Sequence, residues 1–89
     1  MKYYYVYILK SLVDGKFYTG YTSNLKKRLD EHNKGLTKST KSRRPFELVY
    51  FEGSVNIKDV MKREKYLKTT YGKRYIRNRI INYLEENIT

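Results

Sequence analysis

The chain has no cysteine and no tryptophan, and its 89 residues include a single proline and a single histidine. Without cysteine there is no disulfide, no thiolate metal site and no thiol nucleophile, although the compartment is not settled by this alone. No apolar run approaches the roughly 18 residues of a membrane-spanning helix. The opening stretch MKYYYVYILK is apolar, aromatic and short, with no small-residue cleavage site after it, so it is expected to be a first strand and not a secretory signal. The expectation is a soluble, cytoplasmic protein with no membrane partner. Acidic residues are scarce as well: nine Asp and Glu stand against 20 Lys and Arg, a formal net charge of +11.

An excess of this size attracts polyanions, and nucleic acid is favoured over an anionic membrane surface. Eleven tyrosines add flat rings able to stack on bases. Charge does not separate a binder from an enzyme. The length accommodates one domain, residues 1–89, which buries about 60% of the surface its unfolded chain exposes.

The pattern along the chain predicts strand, strand, helix, strand, helix, helix. In YYYVYILKS, Tyr3, Tyr5, Tyr7 and Leu9 alternate with Tyr4, Val6 and Ile8, so both faces are apolar or aromatic and both should be covered. Asp14-Gly15 signals a hairpin turn into a second strand, FYTGYT. Ser23 or Asn24 can cap a helix that runs to about Asn33 and stops at Gly35. LTKSTKSRR lacks apolar period and is expected to be a mobile loop, where Lys38, Lys41, Arg43 and Arg44 either contact phosphates or are incidental charges of a solvated linker. Pro45 opens a third strand, FELVYFE. Asn56 caps the next helix with Asp59 as a partial capping box, and that helix extends to about Thr70. Gly72 is expected to separate it from a last helix, KRYIRNRIINYLEEN, with Ile76, Ile80, Tyr83 and Leu84 as its stripe. The expected fold class is α+β: a small three-stranded antiparallel sheet flanked by helices, in the order β-β-α-β-α-α.

Three polar residues interrupt faces that should be buried. From Ile57 through Val60 or Met61, helical stepping reaches Glu64 before Leu67, which places a carboxylate in a core-facing stripe. A buried glutamate needs a cation. Either Arg28 or a lysine supplies it as a structural salt bridge, or a divalent metal does. Arg28 and His32 continue the face set by Leu25 and Leu29. Singly, His32 could be a satisfied core histidine and Arg28 a snorkelling side chain. Together with Glu64 they depart from the pattern in the way working sites do. Tyr7 and Tyr18 lie on hairpin strands and can share a face, with Gly20 leaving room there for close approach of a phosphate or backbone. Phenols, a guanidinium, an imidazole and a carboxylate together suit phosphodiester hydrolysis.

In the segments VYILKS, DGKFYTGYTSNLKKRLDEHNKG, RRPFELVYFE and KREKYLK the chain closely resembles the GIY-YIG nuclease superfamily. It looks most like the small single-domain bacterial members related to the N-terminal nuclease domain of the excision-repair endonuclease. The resemblance implies a metal-dependent DNA endonuclease of repair or recombination, with one Mg²⁺ or Mn²⁺ on Glu64. It makes Tyr7 and Tyr18 the signature tyrosines, Arg28 and His32 the helix pair, and Asn78 a downstream catalytic asparagine. The leading glycine and both isoleucines of the signature are absent, with Tyr5 and Thr19 among the replacements, and the Tyr5 ring could narrow the site. A homodimer is compatible but not indicated, and a protein partner could supply specificity. The alternative is a non-catalytic nucleic-acid-binding protein on the same scaffold; a basic structural protein of a ribonucleoprotein particle would explain the charge but not Tyr7, Arg28 and Glu64.

Overall fold

A computed structural model describes residues 1–86. The first strand, β1 (Tyr4–Ser11), is central and antiparallel to both neighbours, β2 (Phe17–Thr22) and β3 (Phe46–Ser54), giving the order β2-β1-β3. The hairpin between β1 and β2 turns at Asp14-Gly15: Gly15 takes φ +71°, which favours glycine, and the Asp14 carboxylate accepts the Lys16 N–H at 2.9 Å. Because β1 is central, its consecutive residues Val6, Tyr7, Ile8 and Leu9 are all buried, alternating between two cores.

Helices close both faces, as the two-sided apolar pattern of β1 requires. The helix α1 (Leu25–Asn33) presses Leu25 and Leu29 onto Tyr7, Leu9 and Phe46. Its N-cap is Asn24, whose side chain accepts the Lys27 N–H at 3.0 Å, and Gly35 at φ +76° follows its end. On the opposite face α2 (Ile57–Leu67), α3 (Thr70–Arg79) and α4 (Ile81–Glu86) bury Val60, Leu67, Ile76 and Ile80 against Val6 and Ile8.

Several local expectations are corrected. The second helix stops at Leu67, short of Thr70, and Gly72 lies inside α3. A Cβ at Gly72 would collide with the Tyr66 carbonyl oxygen and the Leu67 backbone. Its glycine therefore serves close helix approach and not a break. The break falls instead at Ile80, the C-cap of α3, so the expected final helix is two helices. On α2 the buried stripe is Val60, Glu64 and Leu67, while Ile57 and Met61 are exposed. Asn56 does cap α2, accepting the Lys58 N–H at 2.8 Å, but its own N–H points to Ser54 Oγ and not to Asp59, so the capping box does not form.

The segment expected as a mobile loop is tied down. Residues Lys41–Arg43 form a short 3₁₀ turn, Ser11 Oγ donates to the Arg43 carbonyl at 2.6 Å, and Thr40 is fully buried. Arg43 pairs with Asp14 at 2.9 Å, and the Arg44 guanidinium lies over Gly35. Both arginines therefore have structural positions. Lys38 and Lys41 remain exposed.

Candidate active site

A cleft of about 500 Å³ opens beside β2, within the ~300–1,000 Å³ range of small-ligand sites. Tyr7 enters it from β1, Tyr18 and Gly20 from β2, Arg28 and Glu31 from α1, and Glu64 from α2. Both parities of β2, including Tyr21, contribute to the lining. The cleft therefore wraps the sheet edge, which is how Glu64 from the helix layer behind one face reaches the tyrosines of the other.

Strand register explains the tyrosine pair. Tyr7 lies opposite Gly20 and Leu9 opposite Tyr18, so both phenols project from one face, with ring centroids 6.4 Å apart. The Tyr7 ring tip passes directly over Gly20, where a Cβ would sit 2.5 Å from Tyr7 Oη and 2.7 Å from Cζ. Tyr5 shares this face but turns the other way. Its ring packs over Gly53 and meets Phe51 edge to face at 5.9 Å, and it does not line the cleft. The bulky substitution of the signature glycine thus leaves the cleft open. Thr19, paired with Ile8, faces the opposite core.

Tyr7 Oη is the junction of the site. It lies 2.9 Å from His32 Nε2 and receives a long 3.4 Å contact from Arg28 Nε. Burial pushes its pKa above the ordinary phenol value, against the hydrogen bond and charge of Arg28. The cationic surroundings therefore do not win: Tyr7 is a phenol at neutral pH and not a phenolate. Arg28, in turn, is held more firmly protonated by the Tyr7 bond first and by Glu31 second. Glu31 Oε1 accepts from its Nη1 at 3.1 Å, and Glu31 also lines the cleft.

His32 does not face the cleft. It is fully buried behind Tyr7, with Nδ1 2.8 Å from Thr40 Oγ1 and its ring edge-on to Tyr18 at 5.0 Å. Desolvation chiefly, then the nearby Arg28 charge, lowers its pKa below the usual imidazole value, so the ring is neutral at neutral pH. Thr40 had no signal in the sequence, being one hydroxyl in a polar loop.

Glu64 is 9% exposed, and its Oε2 is 2.7 Å from Lys68 Nζ, one turn on at the C-cap of α2. A lysine, not Arg28, is thus its resident cation. Lys68 is itself half exposed, so the bridge is a weak, exchangeable one. Among the described residues no three His, Asp or Glu side chains gather as a ready-made metal cage. A hard cation such as Mg²⁺ needs fewer protein ligands, since it keeps several waters and takes one or two carboxylates plus substrate phosphates. Glu64 in an open, polar cleft fits that pattern. Asn78 lies elsewhere, on an exposed face of α3, outside the cleft lining. No helix among the described residues is long and apolar enough to cross a membrane.

The family model of the GIY-YIG catalytic domain matches residues 3–80. The chain belongs to the GIY-YIG family. Similar GIY-YIG relatives include the UPF0213 protein CPE1444 of Clostridium perfringens, 49% identical over 65 residues, which span 72% of this chain and 69% of that one. A UPF0213 protein of Syntrophus aciditrophicus is 50% identical over 66 residues, 72% of this chain and 75% of its own. The solution NMR structure of the UPF0213 protein BH0048 from Bacillus halodurans shares the fold at a TM-score of 0.52 and 34% identity, covering 83% of this chain and 81% of that one. In this GIY-YIG chain one cleft brings together Tyr7, Tyr18, Arg28 and Glu64.

Proposed function

We propose that this protein is a metal-dependent endonuclease that hydrolyses phosphodiester bonds in DNA, in repair or recombination, with one active site per protomer. The observation that carries this is the convergence of Tyr7, Tyr18, Arg28 and Glu64, from four separate elements, on one cleft. A protein that only bound nucleic acid would have no need of a carboxylate on a buried helix stripe, where it repels phosphate.

Glu64 would hold one Mg²⁺ or Mn²⁺, which when bound supplies Lewis-acid stabilisation of a phosphate oxygen and acidifies a water. Arg28 neutralises charge that grows on the scissile phosphate. Tyr7 takes a proton from the attacking water while its own passes to His32 Nε2, which removes the need for a resting phenolate. Tyr18 orients water or phosphate at the cleft wall. Lys38 and Lys41 are exposed cations available to flanking phosphates, whereas Arg43 and Arg44 act in the same stretch from structurally anchored positions. The assignment of Asn78 rests on family resemblance alone.

The test is a cleavage panel of duplex, branched, single-stranded and damaged DNA, with RNA alongside, in Mg²⁺ or Mn²⁺. At least one DNA substrate should be cut internally and chelation should stop the cutting. Tight, salt-sensitive binding with no cleavage of any substrate would favour the non-catalytic binder.

Gly20 offers a separate check. In Gly20→Ala the new methyl displaces the Tyr7 tip, and a misplacement of about 1 Å at a reacting group can cost roughly 100-fold in rate. Cleavage should fall by that order while circular dichroism and DNA binding stay as in the parent.

A further inference from the structure

The hydrogen bonds around His32 form a chain with a direction. Thr40 Oγ1 has one proton, and the Thr37 carbonyl lies 3.4 Å away to accept it. Its lone pairs then face His32 Nδ1 at 2.8 Å, so Nδ1 carries the ring proton and Nε2 presents a lone pair to Tyr7 Oη at 2.9 Å. Arg28 Nε donates to Tyr7 Oη from the other side. In this order Arg28, Tyr7, His32 and Thr40 each donate to the next group and Thr37 ends the chain, so every donor has a protein acceptor. The reverse order, with Thr40 donating to Nδ1 and Nε2–H donating to Tyr7, makes one bond fewer and leaves the Tyr7 proton without a protein acceptor.

We infer that Thr40 is a positioning residue: anchored on the Thr37 carbonyl, it holds the buried His32 in its Nδ1–H tautomer, so that Nε2 is the acceptor for the Tyr7 proton. The consequence for catalysis rests on the proposed nuclease function, but the tautomer itself does not. Thr40 reaches the cleft only through two other side chains, which separates its role from those of Arg28 and Glu64. Tyr7, Tyr18 and Phe46 ring the imidazole, and Arg28 and Glu31 are the charges that bear on it. Its depressed pKa keeps it neutral, so a single tautomer can be defined at pH 7–8.

The chain has one histidine, so long-range ¹H–¹⁵N correlation on the ¹⁵N-labelled full chain reports His32 without ambiguity. The parent should show a protonated Nδ1 and an unprotonated Nε2. Thr40→Val, which keeps the shape and loses the acceptor, should shift the ring towards Nε2–H and slow cleavage by roughly tenfold or more. Thr40→Ser should restore both. A parent ring protonated on Nε2 overturns the inference, as does an unchanged tautomer in a folded Thr40→Val. If the valine variant does not fold, the parent tautomer and Thr40→Ser still decide. A parent that cuts nothing yet shows the Nδ1–H form would count against the nuclease function and leave the role of Thr40 standing.

Discussion

Replacing Tyr7 by phenylalanine is expected to lower metal-dependent cleavage by roughly 10²–10⁴-fold, the range of a lost general acid–base group. The ring would still fill its place against Leu9 and Phe46, so the sheet and α1 remain packed. What goes is the one oxygen that touches both His32 and Arg28. A stability cost follows too. His32 Nε2 is buried and loses its partner, a penalty of about 1–3 kcal/mol. For a domain of this size that corresponds to a fall in Tm of about 4–8 °C per kcal/mol. Calorimetry beside single-turnover kinetics checks both. A Tyr7→Phe variant that cuts at the parental rate would remove Tyr7 from proton transfer.

The second large effect is at Glu64. On the proposed function Glu64 holds the metal, so its loss would remove several kcal/mol of charge stabilisation; each 1.36 kcal/mol is tenfold, and Glu64→Ala should lose about 10³-fold or more in rate. The fold should tolerate the change. The side chain is 9% exposed on the Val60–Leu67 stripe, where alanine is a good helix residue, and the freed Lys68 is already half exposed. The bridge it breaks, to a half-exposed lysine, is worth only about 0–1 kcal/mol. Nucleic-acid binding should hold or strengthen, because the substitution removes a negative charge from the cleft and raises a net charge of +11 by one. Loss of cleavage with retained binding separates catalysis from recruitment. Equal loss of both would make Glu64 structural.

Much of this was legible in the chain because the physics that shapes it is local. Asp14-Gly15 sets the hairpin, and the hairpin sets the parity that puts Tyr7 and Tyr18 on one face. Helical period alone exposes Glu64 as the polar break between Val60 and Leu67, and the same period places Arg28 and His32 beside Leu25 and Leu29. The failures are non-local. Gly72 is a weak helix former, yet its constraint is the closeness of the Leu67 backbone, which propensity does not record. Arg43 finds Asp14 across 29 positions, and Arg44 settles over Gly35, so cations that looked free along the sequence have partners in space. His32 proved to stand behind Tyr7 and not at the cleft wall, because its partner Thr40 comes from a loop without any periodic signature.

On the proposed function, one glutamate in this cleft turns a basic surface into a hydrolase. Single-turnover cleavage of labelled DNA in Mn²⁺, parent beside Glu64→Ala at equal occupancy of substrate, is the sharpest check. The parent should cut and the variant should bind as well without cutting. Equal cutting by the two proteins would leave Glu64 without a part in hydrolysis.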